Sequence, residues 1–81
     1  MRLPRDWSGD ELVRRLARVG YSVTRQTGSH VRLTKPPPPS EHHVTVPRHD
    51  TLRIGTLAGI LDDVAAHLEI TRDELLARLA A

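Results

Sequence analysis

The sequence predicts a small two-layer α+β domain, in which helices cover one face of a three-stranded antiparallel sheet. Apolar residues recur at helical spacing near both ends of the chain and alternate with polar residues in its middle. Because 81 residues can bury only one core, we expect a single domain over 1–81. Its core is predicted at about 8–68, with an additional short C-terminal helix at 71–80.

The first helix is predicted over about residues 9–19. Ser8 and Glu11 form a capping box, in which each side chain satisfies a backbone donor at the helix start. Gly20 is a residue type that often ends helices. Three arginines on the polar side of this helix are either phosphate contacts or a solvated face: Arg14, Arg15 and Arg18.

Alternation with a period of two between Tyr21 and Val46 predicts three strands. The first two are joined near 26–28, and the prolines at 36–39 form a connection because proline cannot donate to a sheet ladder. The apolar side chains expected on one core face are Val31, Leu33, Val44 and Val46. The polar side chains expected on the opposite, open face are His30, Arg32, His43 and Thr45.

Two helical segments are predicted after the strands. A helical stripe of apolar residues runs from Leu57 to Leu68. Thr71 and Glu74 then form a second capping box ahead of Leu75. The chain therefore ends in a helix and a short additional helix.

The formal net charge is +2, but residues 1–53 carry +5 and residues 54–81 carry −3. One part of the molecule is therefore suited to a polyanion. The absence of cysteine excludes disulfides and thiolate metal sites. No apolar run resembles a signal peptide or the roughly 20-residue span of a membrane helix, so we expect a cytoplasmic protein without a membrane partner.

His30 is the candidate for chemistry. Cleavage of RNA without a metal needs a group that removes the proton of a ribose 2′-hydroxyl and a donor for the leaving 5′-oxygen, and histidine suits either task near neutral pH. The basic residues nearest in sequence that could hold a phosphate are Arg32, Lys35 and Arg48. Gly28 would allow a close backbone approach beside His30.

Four ordered blocks of the sequence resemble those of the HicA (YcfA-like) toxins: Gly20-Tyr21, Gly28-Ser29-His30, the segment from Val44 to His49, and the segment from Gly55 to Leu61. The likeness covers about residues 8–64. It implies a fold like that of double-stranded-RNA-binding domains, cleavage of mRNA as an interferase, and inhibition by a HicB antitoxin. It also implies that His30 is the catalytic histidine, with Gly28 and Ser29 as its neighbours in the motif.

The resemblance leaves the role of His49 open among a partner acid, a phosphate ligand and a structural residue that fixes its loop through a backbone hydrogen bond; we favour the last. The sequence also departs from the family pattern. The segment at 36–39 is filled with proline, and the stretch after Ile60 is longer and more acidic than the usual link to the last helix.

No cofactor or metal is expected. His42 and His43 are adjacent, so in a strand they point to opposite faces and cannot easily share one ion. A set of His30, His43 and His49 lacks a fourth defined ligand. The alternative from another functional class is a non-catalytic RNA-binding module of the same fold, which would follow phosphates with the same basic residues.

Overall fold

The computed structural model describes residues 2–80, and its elements follow the predicted order. The elements are α1 (Gly9–Leu16), a 3₁₀ turn (Ala17–Val19), β1 (Ser22–Thr27), β2 (His30–Lys35), β3 (His42–Pro47), α2 (Ile54–Leu68) and α3 (Arg72–Ala80). The strands form one antiparallel sheet in the order β1-β2-β3. The predicted α+β class is confirmed, including the α-β-β-β-α order implied by the resemblance and the additional helix α3.

None of the helices in residues 2–80 is long and apolar enough to cross a membrane.

The start of α1 confirms one half of the predicted capping box. The Ser8 hydroxyl accepts a hydrogen bond from the main-chain N–H of Glu11 at 3.0 Å. The reciprocal half was wrong, because the Glu11 carboxylate accepts instead from Arg14 at 2.9 Å and from Arg15 at 3.1 Å. The helical segment ends as predicted at Gly20, whose φ of 99° lies in the left-handed region that favours glycine.

Two arginines of the first helical segment hold α3 in place. The guanidinium groups of Arg15 and Arg18 both donate to the main-chain oxygen of Leu79, one of the carbonyl groups that a helix end leaves without a partner. Arg15 also lies 4.5 Å above the centre of the Trp7 ring. These two arginines are therefore structural, which is neither of the roles considered for them from the sequence.

The predicted core face of the sheet is confirmed. Val31, Leu33, Val44 and Val46 are all buried. The helices cover them with leucines and one valine that are fully buried: Leu12, Leu16, Leu57, Leu61, Val64, Leu75 and Leu79. Because α3 contributes to this set, it belongs to the same core as α1 and α2.

One end of the sheet is tied together by main-chain contacts that we call the backbone junction (Gly9, Ser29 and 47–49). The N–H of Gly9 donates to the carbonyl oxygen of His49 at 2.9 Å, and the N–H of Arg48 donates to that of Ser29 at 2.6 Å. A Cβ on Gly9 would stand 2.0 Å from the oxygen of Pro47. Only glycine fits at this position, because no other residue lacks a Cβ.

The far end of the sheet packs against α2 through a cluster of aromatic rings. His42 stacks on His67, with ring centroids 4.3 Å apart and planes inclined by 8°. Nδ1 of His42 is hydrogen-bonded to the Tyr21 hydroxyl at 2.6 Å, and its Nε2 to Asp63 at 3.1 Å. Burial, together with the charge of Asp63, raises the pKa of Tyr21 to about 12.

His67 carries a buried ring nitrogen, Nε2, without a hydrogen-bond partner among the described residues. Desolvation lowers the pKa of His67 below its ordinary value of 6.5, and the charges of His42 and Lys35 act in the same direction. Asp63 and a main-chain hydrogen bond with Ser40 oppose this shift but do not outweigh it. The folded chain therefore binds a proton at His67 more weakly than the unfolded chain does.

We expect Gly9→Ala to lower the free energy of unfolding by about 1–3 kcal/mol, because the new methyl group meets a main-chain oxygen that cannot rotate away. Urea denaturation measures the change. The matched control is Gly59→Ala in α2, where a Cβ meets nothing within 4 Å, and it should raise stability by about 0.5–1 kcal/mol. A Gly9→Ala protein as stable as the parent would contradict the close approach at the backbone junction.

A second expectation concerns pH. Since the pKa of His67 is lower in the folded than in the unfolded chain, the unfolded state gains its proton first on acidification. Stability should therefore fall as the pH drops below 6.5 towards the lower folded value. His67→Leu removes this group, so thermal unfolding should show a smaller loss for the variant than for the parent between about pH 8 and about pH 5. Equal losses in the two proteins would refute this role of His67.

Candidate active site

His30 lies at the start of β2, directly after a two-residue turn that joins it to β1. Thr27 and His30 form the last pair of the hairpin, so Gly28 and Ser29 make the turn. Gly28 has a φ of 57°, which a two-residue hairpin turn with glycine at its first central position requires. The turn is anchored because Ser29 accepts from the backbone N–H of Arg48. His30 thus directly follows a tight turn that a hydrogen bond from outside the hairpin holds in place.

The side chain of His30 is exposed on the open face of the sheet, as alternation predicts. Its neighbour on β3 is Pro47, and its neighbour on β1 is Thr27. These three residues form the first row of side chains on this face. Two residues further along each strand, a second row consists of Arg25, Arg32 and Thr45. Successive rows on one face of a sheet are separated by about 7 Å, so His30 and these arginines share one surface.

Arg25 is the functional candidate that sequence reasoning missed. Strict alternation from Tyr21 and Val23 would have turned Arg25 towards the core. An irregularity in the β1–β2 register between Val23 and Arg25 adds one residue to β1, and Arg25 therefore lies directly opposite Arg32. No local sequence pattern marks this bulge, because it depends on how β1 pairs with β2.

The two rows enclose a shallow groove of about 220 Å³ that contains basic, hydroxyl and imidazole groups and no carboxylate. Its lining residues are Arg25, Thr27, His30, Arg32 and Thr45. Like charges placed directly opposite each other in a sheet repel. Within residues 2–80, no carboxylate is paired with Arg25 or Arg32 to offset that repulsion. The groove is therefore electrostatically suited to an anion.

Lys35 does not join this groove. It ends β2, at the opposite end of the strand from His30, and is paired with His42. Its ammonium group donates to the carbonyl oxygens of Pro36 and Pro38, at 3.4 and 2.9 Å. Lys35 therefore stabilises the proline-rich connection, and the structure does not bring it to His30.

Arg48 is near His30 through its main chain, while its side chain is engaged elsewhere. Its guanidinium binds Asp10 at the start of α1 in a bidentate pair of 2.9 and 3.2 Å. These hydrogen bonds lower the pKa of Asp10 and raise that of Arg48. A phosphate at His30 would have to compete with Asp10 for this group.

His49 follows Arg48 in the loop after β3. Its carbonyl oxygen accepts from the N–H of Gly9 in the backbone junction, while its side chain is exposed. The contact seen here is made by the main chain, which is the kind of contact that the structural interpretation of His49 requires.

The adjacent histidines His42 and His43 lie on opposite faces of β3, as alternation predicts. His43 is on the open face, where its Nδ1 is hydrogen-bonded to Thr34 at 2.7 Å and its Nε2 to Glu41 at 3.0 Å. Both ring nitrogens are therefore occupied by the protein. Among the side chains that the structure describes, no three histidine or carboxylate groups are placed to hold a metal ion together.

Among curated proteins and solved structures, none matches the chain. A family model described as the HicA toxin of bacterial toxin–antitoxin systems matches residues 9–65. This range spans most of the chain and includes the His30 hairpin, the backbone junction and most of α2. On that match, the chain belongs to the HicA family of toxins from bacterial toxin–antitoxin systems.

Proposed function

We propose that this toxin is an endoribonuclease that cleaves mRNA with His30 and without a metal ion. The observation that carries the proposal is the groove without a carboxylate in its lining, where an exposed histidine lies next to two arginines that have no acidic partner within residues 2–80. A phosphodiester is an anion of the size and charge that two guanidinium groups bind well. In this proposal, the scissile phosphate lies in the groove.

In the proposed reaction, the ribose 2′-oxygen forms a bond to phosphorus while the bond from phosphorus to the 5′-oxygen breaks. His30 is the histidine of the groove, and it transfers one of the two protons, either from the 2′-hydroxyl or to the 5′-oxygen. Water supplies or accepts the other proton. The products are a cyclic phosphate on one fragment and a free 5′-hydroxyl on the other.

Arg25 and Arg32 act on the charge that develops in the transition state. The strand pairing places Arg25 opposite Arg32, so both guanidinium groups can reach and donate to the phosphate oxygens. The hydroxyl groups of Thr27 and Thr45 lie in the same groove and can donate to the remaining oxygens. Arg48, a candidate phosphate ligand on the sequence alone, instead supports the turn and the start of α1.

The proposed protein partner is a HicB-type antitoxin, which would inhibit the toxin. The support for this partner is the family membership, since HicA toxins belong to toxin–antitoxin systems. The open face of the sheet leaves His30 exposed and therefore accessible both to RNA and to an inhibitor.

His30→Ala should reduce RNA cleavage by at least about a hundredfold, the lower end of the contribution of a general acid or base. Expression of the parent should arrest bacterial growth and degrade mRNA, and the variant should do neither. Binding of RNA should persist in the variant, because the arginines remain. His43→Ala is the matched control: it lies on the same face, outside the groove, and should cleave at close to the parental rate.

If His30→Ala is as toxic as the parent, the catalytic assignment fails. If neither protein cleaves RNA but both bind it, the chain is instead a non-catalytic RNA-binding module of the same fold, the alternative that the sequence also allows.

Arg25→Ala and Arg32→Ala should each lower kcat/KM by about ten- to a hundredfold, since each removes a charge-assisted hydrogen bond to the phosphate. Steady-state cleavage of a fluorescent RNA measures the effect. Lys35→Ala removes a basic residue of the same strand, at the end remote from His30, and serves as the control with near-parental activity. An equal loss in Arg25→Ala and Lys35→Ala would show that net charge, rather than the groove, controls the reaction.

A further inference from the structure

A second basic cavity of about 510 Å³ lies on the helical side of the molecule. We call it the terminal cavity, and its lining residues are Arg2, Leu3, Arg5, Ile54 and Arg72. Three of these five residues are arginines, and none is acidic. Most of the lining lies outside the family match at 9–65, so the cavity is a feature of this chain that the family pattern does not describe.

The N-terminal segment that forms one wall of the terminal cavity is held against the domain. Leu3 and Trp7 pack against the hydrophobic core. The carbonyl oxygen of Trp7 also accepts from the N–H of Leu52 at 2.9 Å. Arg2 and Arg5 are exposed on this anchored segment. Their charges are therefore held near the start of α2.

The charges in the terminal cavity are only partly neutralised. Arg72 forms a bidentate pair with Asp62, with both distances 2.7 Å. Within residues 2–80, no carboxylate is paired with Arg2 or Arg5. Asp73 follows Arg72 in the sequence, and its charge acts on Arg72 together with that of Asp62, but no carboxylate of the described residues lines the cavity. Among residues 2–80, the guanidinium groups of Arg2 and Arg5 therefore have no carboxylate partner and can bind an anion.

The position of the terminal cavity relative to the groove indicates which kind of anion the cavity binds. Ile54 follows Pro47, the neighbour of His30, by seven residues, so chain length alone limits their separation to about 25 Å. A nucleic acid strand with about 3.4 Å per nucleotide covers that distance in about seven nucleotides. Arg53 is exposed on the loop between the two sites, whereas the side chain of Arg48 on the same loop is paired with Asp10. A polyanion that leaves the groove and follows this loop around the edge of the domain can therefore continue to the cavity.

We propose that the terminal cavity binds the phosphodiester backbone of the RNA substrate at a distance from the scissile bond, mainly through Arg2 and Arg5. The inference rests on the proposed ribonuclease function for the identity of the ligand. The cavity contributes affinity and no chemistry, since phosphate contacts by arginine position a strand without reading its sequence.

The test measures binding of a fluorescent single-stranded RNA of about twenty nucleotides, long enough to reach both sites, by a His30→Ala protein that cannot cleave it. A second substitution in this protein, Arg5→Ala, should weaken RNA binding by about three- to tenfold at low salt. The slope of log affinity against log salt should flatten by about 0.7 for this one charge and by about 1.4 for Arg2→Ala with Arg5→Ala. The matched control is Arg78→Ala, which removes another exposed arginine on α3.

A second readout locates the RNA directly. Addition of the same RNA should shift the amide NMR signals of Leu3, Arg5 and Ile54 as well as those of the groove. The inference is overturned if Arg5→Ala behaves like Arg78→Ala, or if the shifts are confined to the open face. It is also overturned if Arg5→Ala weakens binding of the antitoxin and leaves RNA binding unchanged.

These outcomes separate the terminal cavity from the proposed function. If the parent protein cleaves RNA and Arg5→Ala does not weaken RNA binding, the cavity is not an RNA-binding site, and the ribonuclease assignment is unaffected. If the parent protein neither binds nor cleaves RNA, both the ribonuclease function and RNA binding at the cavity are ruled out.

Discussion

The backbone junction joins the start of α1, the end of β3 and the turn before β2. Gly9 donates to His49, and Arg48 donates to Ser29, so each contact is made by main-chain atoms that every residue type except proline carries. The side chain is what the junction restricts, because a Cβ on Gly9 would overlap the carbonyl oxygen of Pro47. The turn that presents His30 is thereby held from outside the hairpin, which keeps the candidate site in a defined position relative to the helices.

In the part of the chain that the structure describes, some arginines hold the structure together and others have no acidic partner. Arg15 and Arg18 bind the end of α3, and Arg48 and Arg72 bind aspartates. The two exposed ion pairs among these contacts contribute little to stability, because solvent screens them. Their greater consequence is that the basic charge of the terminal cavity comes mainly from Arg2 and Arg5, since Asp62 partly neutralises Arg72, and that the groove depends on Arg25 and Arg32. The excess positive charge of residues 1–53 is thus concentrated at a few surface sites.

The histidines show how the two faces of one sheet separate chemical environments. His42 is packed between β3 and α2, in contact with another imidazole, a phenol and a carboxylate. His43, its neighbour in sequence, is held on the open face by Thr34 and Glu41. His30 lies on that same open face, within the groove. The neighbours that the sheet provides therefore decide the role of each histidine. His42 packs in the interior, His43 is held by hydrogen bonds on the surface, and His30 is the proposed catalytic residue.

The sequence by itself determined the class of fold, the order of its elements, the buried valines and leucines and the exposure of His30. These follow from hydrophobic periodicity and from glycine and capping residues, which act within a few neighbours along the chain. Only the tertiary structure decided which cations surround His30. Arg25 reaches the groove through a bulge in the pairing of two strands, Arg48 is held by Asp10 from a distant helix, and Lys35 lies at the far end of β2. The reason is physical: cross-strand register and long-range ion pairs depend on residues far apart in sequence, so local patterns carry no record of them.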